Sequence, residues 1–235
     1  MSTRIPPSST PSAPPPHPHA PAESGSVAFP PKETFEQIRR TLTTRERRVI
    51  DPPRLRPAAV LVPLFEADGD LNVLLTLRTE TVGHHKGQVS FPGGGRHDDD
   101  HDLLATALRE SHEEIGLPAS QVEVLGALDD VPTISSFQVT PWVARIAWPV
   151  ALVASPDETA EIFSVPLQRL LDPTLCRLEE RTVGDRRYYP VHHFTGGKHV
   201  IWGLTGHILA RLLEVAFNWR HPDLDPARVS LRWEH

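Results

Sequence analysis

The chain of 235 residues predicts an α/β domain behind a disordered, proline-rich tail. Three observations predict it. Two segments, one running up to Gly116 and one from Val200 to Phe217, space apolar side chains along a single helical face. Around them lie short apolar runs closed off by Asp-Gly, Gly-Gly or proline, the pattern of strands and turns. Residues 1–31 show neither pattern and are rich in Pro, Ser and Ala. Such a segment cannot bury enough apolar surface to offset its ordering entropy. The tail is therefore set at 1–31 and the domain at 32–235.

The elements follow in order. Phe35, Ile38 and Leu42 give helical spacing within Glu33 to Val49, interleaved with Arg39, Arg40 and Arg45 to Arg48. This reads as a surface helix ahead of the domain, ended by Pro52, Pro53 and Pro57. Ala58 to Phe65 is a buried strand, Asp68-Gly69-Asp70 a turn, and Leu71 to Leu77 the second strand of a hairpin. Residues 78–90 form a loop whose Gly83 and Gly87 suit unusual backbone angles. Val122 to Leu128 and Phe137 to Ala147 are strands joined through Asp129-Asp130-Val131-Pro132. Ser155 to Thr159 is a polar break, Glu161 to Val165 a strand, and Pro166 to Leu171 a short helix opened by its proline. Thr182 to Arg187 turns on Gly184-Asp185 and pairs with Tyr188 to Phe194 as a second hairpin. After Gly196-Gly197 comes the helix Val200 to Phe217, with Ile201, Leu204, Ile208, Leu212 and Val215 on one stripe. Residues 218–235 give no firm reading.

Composition excludes several function classes. Net charge is −6 and pI ≈ 6.1, so no global basic field draws nucleic acid. The single Cys176 excludes an intrachain disulfide and a two-cysteine zinc clip. No apolar run reaches membrane-spanning length, and the N-terminus lacks the apolar core of a signal peptide, so a cytoplasmic protein is expected. His84-His85, His97, His101 and His192-His193 do not follow a closed zinc pattern.

Chemistry concentrates in Ser90 to Leu117, SFPGGGRHDDDHDLLATALRESHEEIGL. Three glycines and an acidic loop lead into a helix. Glu110, Glu113 and Glu114 stand at i, i+3 and i+4, so their carboxylates share one helical face. Like charges so crowded repel unless a cation sits among them, and oxygen ligands of high charge suit Mg²⁺ or Mn²⁺. Leu104, Ala107, Leu108 and Ile115 lie on the neighbouring arc and can pack on a sheet. Gly93, Gly94 and Gly95 permit close backbone approach to an anion.

This stretch resembles the Nudix box, G-x5-E-x7-R-E-U-x-E-E-x-G-U with U apolar. Gly95, Arg109, Glu110, Glu113, Glu114, Gly116 and Leu117 match in register. The box glutamate falls on His101 and the first U on Ser111; the neighbouring Asp100 and the Gly93-Gly94 pair suggest a loop one residue longer than usual. The resemblance implies an α/β/α sandwich with a mixed sheet between helices. It implies hydrolysis of a diphosphate by metal-activated water, metal ligation through Glu110, Glu113 and Glu114 with a glycine carbonyl near Gly94, and an Arg109 that pairs with a box glutamate. The water-activating base stays open among Glu113, Glu114 and the downstream Glu158 and Glu161.

Upstream, Leu74-Leu75-Thr76-x-Arg78 and Gly87-Gln88-Val89-Ser90-Phe91-Pro92-Gly93-Gly94 resemble the coenzyme A pyrophosphatase signature LLTxR-[SA]-x3-R-x3-G-x3-FPGG. Thr79 replaces the small residue and Gly83 stands where a second arginine is usual. Phe137 to Pro141, Val165-Pro166-Leu167 and Ile201 to Thr205 are similar to the same subfamily. The implied substrate is CoA or acyl-CoA, cleaved to 3′,5′-ADP and (acyl-)4′-phosphopantetheine, with Arg78 and Lys86 beside Gly93 and Gly94 as phosphate-binding groups. Two alternatives stand beside it: hydrolysis of another nucleoside diphosphate derivative such as ADP-ribose or NADH, and a non-catalytic nucleotide-binding domain. Expected partners are the small-molecule nucleotide alone, with neither nucleic acid nor membrane, and a homodimer is one option for assembly.

Overall fold

The computed structural model describes residues 30–50, 55–79 and 87–229. The tail expected over 1–31 lies outside these residues except for its last two positions, and so do Gly83, Lys86 and Trp233. In chain order the elements are α1 (Pro31–Thr44), β1 (Arg56–Ala67), β2 (Asp70–Arg78), β3 (Val89–Ser90), β4 (Gly93–Gly95), α2 (Leu103–Ile115), β5 (Val122–Ala127), β6 (Val131–Pro132) and β7 (Phe137–Ile146). They continue as β8 (Thr159–Pro166), α3 (Leu167–Leu171), β9 (Cys176–Val183), β10 (Arg186–Phe194) and α4 (Gly203–Phe217).

The first hairpin forms as its turn predicts. Asp68 and Gly69 both have positive φ, and Ala67 opposes Asp70 across the bend. β1 then pairs with β7 in parallel, from Arg56 opposite Phe137 to Leu64 opposite Arg145. The remaining pairings of this sheet are antiparallel, with β5 on β7, β8 on β2, and the short β4 on the start of β1. The sheet is therefore mixed. α2 lies on one face, where Ala107 and Ile115 bury against Ala59, Leu61, Phe65 and Leu74. α1 and α4 lie on the other, where Phe35, Ile38, Leu209 and Leu213 meet Val62, Leu64, Val73 and Leu75. This is the expected α/β/α sandwich. Among the described residues no helix is long and apolar enough to cross a membrane.

Expectations for three elements are corrected. The first helix ends at Thr44, not near Val49, and Arg45 is extended. Its guanidinium reaches Asp129 at 2.6 Å and the Ala127 carbonyl at 3.2 Å, while Asp129 and Asp130 accept from the Arg48 and Ile50 N–H groups. These bonds draw the arginine-rich stretch out along the β5–β6 turn and override its local helical spacing. Nor does this helix stand ahead of the domain. Phe35, Ile38 and Leu42 are core residues, and Leu42 fills the space over Gly126, where an added β-carbon would come within 2.6 Å.

The final helix starts at Gly203, because Ile201 is taken up in a β-bridge with Phe194. Its buried surface is wider than the expected stripe and includes Leu209, Leu213 and Ala216. The second hairpin is also longer than the expected Thr182 to Phe194. It runs back to Cys176, which opposes Phe194, through a polar stretch whose composition hid a strand.

Candidate active site

β4 requires glycine at its first position and is crowded at its second. A β-carbon on Gly93 would lie 2.4 Å from the Ala59 carbonyl oxygen and 2.6 Å from the Val60 Cα. One on Gly94 would lie 2.5–2.6 Å from the carboxylate atoms of Glu110. β4 is thus pressed between β1 and α2 with its backbone open to both, as close approach requires.

α2 is held at both ends. The Asp102 carboxylate accepts the Ala105 N–H at 2.7 Å, and Gly116 closes the helix at φ 68°. Ser111, at an expected apolar position, is buried and donates to the Ala107 carbonyl at 2.6 Å, which satisfies its hydroxyl within the helix. The three glutamates are not equivalent. Glu114 is 2 % exposed, Glu110 is half-buried against Gly94, and Glu113 is exposed. Glu114 accepts the Gly93 N–H at 3.3 Å and lies 3.4 Å from an Arg78 nitrogen. Arg78, expected to meet phosphate, is thus turned toward an acid of the helix.

Arg109 is the hub. Its Nε and Nη2 donate to the two oxygens of Asp100, each at 3.0 Å, and its Nη1 donates to Glu110 at 2.9 Å and Glu113 at 2.8 Å. Asp100 is buried and also accepts from the His97 N–H and the Thr106 hydroxyl, both at 2.9 Å. The hydrogen bonds from Arg109 hold the Asp100 carboxyl far below the usual range, against the opposing pull of burial. His101, where the box glutamate falls by count, is exposed, and its ring lies 3.6 Å from the Asp102 carboxylate. The longer loop accounts for this: one extra residue moves the acid back to Asp100.

Burial raises the carboxyls of both Glu110 and Glu114, and Glu114 is pushed up to about 7 despite the opposing Arg78 charge and Gly93 N–H. The charge of Glu113 raises Glu110 further, that of Glu110 raises Glu114, and Glu158 adds to both. Glu158 stands in the exposed turn before β8, whose backbone carbonyl takes the Thr79 N–H at 3.0 Å. A residue far off in sequence is thereby brought to the acid cluster. Glu161 is not. It bonds Lys198 at 2.8 Å and His199 at 3.0 Å, and these partners lower its carboxyl. Strand alternation explains the separation, since the neighbouring Ile162 packs on the α2 face while Phe163 packs on the opposite one.

Among the described residues no three His, Cys, Asp or Glu side chains are gathered as a finished ligand set for a metal ion. Arg109 occupies one oxygen each of Glu110 and Glu113. A polar cavity of about 390 Å³ lies beside β9, β10 and the C-terminal turn, lined by Cys176, Tyr189, His221 and Arg228 among others. None of its lining residues belongs to α2 or β4.

This fold, with desolvated acids facing an open glycine backbone, has the equipment of an acid-anhydride hydrolase, and comparison narrows the class. The NUDIX domain family matches residues 55–191. Over 177 residues the chain is 40 % identical to Nudix hydrolase 15, mitochondrial, of Arabidopsis thaliana, covering 71 % of this chain and 61 % of that one. It is 38 % identical to an uncharacterized Nudix hydrolase NudL of Cronobacter sakazakii, covering 67 % of this chain and 81 % of that one. A solved Nudix hydrolase from M. smegmatis, RenU, aligns with a TM-score of 0.42 at 29 % identity, covering 50 % of this chain and 74 % of that one. The chain belongs to the Nudix family, hydrolases that cleave nucleoside diphosphate derivatives with divalent metal ions.

Proposed function

We propose that this Nudix domain, set at residues 32–235, hydrolyses the diphosphate bond of coenzyme A or an acyl-CoA in the cytoplasm, with Mg²⁺ or Mn²⁺ bound. The observation that carries the reading is the pair Glu110 and Glu114, two partly or wholly desolvated carboxylates beside the bare backbone of β4. The donor set fits a hard divalent cation. It is all oxygen, its members repel one another, and burial makes their charge costly until it is neutralised. Glu110, Glu113 and Glu114 would hold the ion, with the Gly94 carbonyl assisting. Once bound, the cation supplies charge stabilisation at the phosphate oxygens and acidifies water.

The chain's own residues do the rest. Gly93 and Gly94 let a phosphate approach backbone. Arg109 orients Glu110 and Glu113. Glu158, exposed yet close to the acids, is suited to take the proton of the attacking water as its oxygen bonds to phosphorus and the bridging P–O bond breaks. Glu113 and Glu114 are the rival bases within the helix. Arg78 and Lys86 would meet the phosphates, Arg78 by swinging from Glu114. The CoA assignment rests on the motif LLTxR and GQVSFPGG, which spans β2 to β4 and so borders this cluster.

The test is purified protein with Mg²⁺ or Mn²⁺ offered CoA, acetyl-CoA, ADP-ribose and NADH. Release of 3′,5′-ADP from CoA or acetyl-CoA at the highest kcat/KM is expected. Preference for ADP-ribose or NADH would overturn the CoA assignment, and no turnover of any of the four would leave a nucleotide-binding domain.

A further inference from the structure

We propose that Asp100 and Arg109 form a clamp that competes with the divalent cation for Glu110 and Glu113, with Asp100 as its fixed anchor. This rests on the metal-site reading above. The geometry of the guanidinium divides its work. Nε and Nη2 make a two-pronged bond to Asp100, at 3.0 Å each, and Nη1 alone serves both glutamates. The Asp100 side is built to stay. Its carboxylate is buried, holds two further hydrogen bonds from His97 and Thr106, and sits at the N-terminal edge of α2. A bidentate arginine–carboxylate pair with satisfied flanks is the strongest form of this contact. Nη2 also donates to the Gly95 carbonyl at 3.2 Å, which fixes the plane of the fork.

The Glu113 side is built to let go. Glu113 is exposed, and both glutamates share a single nitrogen, so neither holds it with two bonds. The oxygens that Nη1 occupies belong to the residues that would ligate the ion. A cation that draws on those same oxygens, Oε1 of Glu110 and Oε2 of Glu113, displaces Nη1 from them. Asp100 keeps the displaced guanidinium from wandering, so its charge stays next to the site without sitting in it. Asp100 is thus a positioning residue that acts through Arg109, and the anchor sets how much of Arg109's charge the glutamates feel.

The idea is tested by Mn²⁺ titration followed by electron paramagnetic resonance on the full chain, with a thermal melt of every variant to show that it folds. Asp100→Asn frees the guanidinium to settle on the glutamates, so Mn²⁺ Kd should rise about tenfold, or about 1.4 kcal/mol. Arg109→Gln removes the competitor, so Kd should fall below the wild-type value. In the double variant the effect of Asp100→Asn should vanish, which a merely structural role would not produce. If Asp100→Asn fails to fold, Arg109→Lys replaces it. One ammonium cannot serve Asp100 and both glutamates, and Mn²⁺ binding should tighten. Equal Kd in wild type, Asp100→Asn and Arg109→Gln would overturn the clamp while leaving the metal site standing, and so would an Asp100→Asn effect that persists in the double variant or an Arg109→Lys that binds no tighter. Wild type that binds no Mn²⁺ would overturn both.

Discussion

Replacing Glu114 by Gln should stabilise the metal-free protein at high pH while abolishing turnover. Glu114 is 2 % exposed, and its carboxyl is raised from 4.5 to about 7. The folded protein therefore holds this proton where the unfolded chain has released it. Stability from this group is fully present below pH 4.5 and is lost as pH climbs through 7. The loss is about 3 kcal/mol once pH exceeds 7, taking 1.36 kcal/mol for each pK unit. Glutamine keeps the shape of the protonated acid and its acceptor for the Gly93 N–H. The variant should thus escape the loss and be more stable than wild type by up to about 3 kcal/mol at pH 8 in EDTA, and equal to it near pH 4. Urea denaturation of both proteins at the two pH values measures this. Saturating Mg²⁺ should favour wild type and reverse the order. For kcat the loss should be on the order of 10² or more, because a ligand of the stabilising ion is gone. A variant less stable than wild type at pH 8 in EDTA would refute the claim that burial governs Glu114.

Three further outcomes are expected. Gly94→Ala drives a methyl into the Glu110 carboxylate; this flexible side chain can swing aside, so melting should change little while turnover falls about 10²-fold through misplacement, as kinetics and melts on one preparation would show. Glu158→Gln should lower kcat on the order of 10² or more with Mn²⁺ affinity retained, whereas unchanged kcat would return the base role to Glu113 or Glu114. His192 is buried among Phe194 and Trp219, and burial first, then the nearby histidines, lowers it to about 3. Its stability contribution is present above pH 6.5 and lost on acidification, about 2 kcal/mol by pH 5, and His192→Gln should flatten that part of the denaturation profile.

Much of this was readable in the sequence because it depends on local spacing. The β1–β2 turn, the i, i+3, i+4 acids and the glycine stop of α2 are short-range signals, and each lies where its residues say. What stayed hidden depends on contacts far along the chain. Nothing near Arg45 announces Asp129, so local spacing carries the expected helix past its end at Thr44. The hairpin strand from Cys176 is polar on its exposed side and lacks a hydrophobic alternation to reveal it. Asp100 was visible as a neighbour of the expected box position, but its partnership with Arg109 depends on a loop length that counting alone leaves unsettled. Glu158 and Glu161, three residues apart, look alike in sequence; the turn before β8 leaves Glu158 by the acids, while alternation within β8 points Glu161 to Lys198.

Arg39 of α1 and Arg45, just past its end, carry a practical consequence. Arg39 and Arg45 donate to the Val124 and Ala127 carbonyls of β5, the outermost strand in the order β3-β2-β1-β7-β5. Side-chain donors thus stand where a neighbouring strand would otherwise bond, and Leu42 plugs the notch over Gly126. A chain trimmed to the family match at 55–191 would lose this seal, and would also lose α4 and the end of β10. It would expose a bare backbone edge beside an emptied apolar groove, the template on which separate molecules stack into aggregates. Domain limits drawn by sequence similarity would here cut through the very parts that keep one molecule from adding to the next.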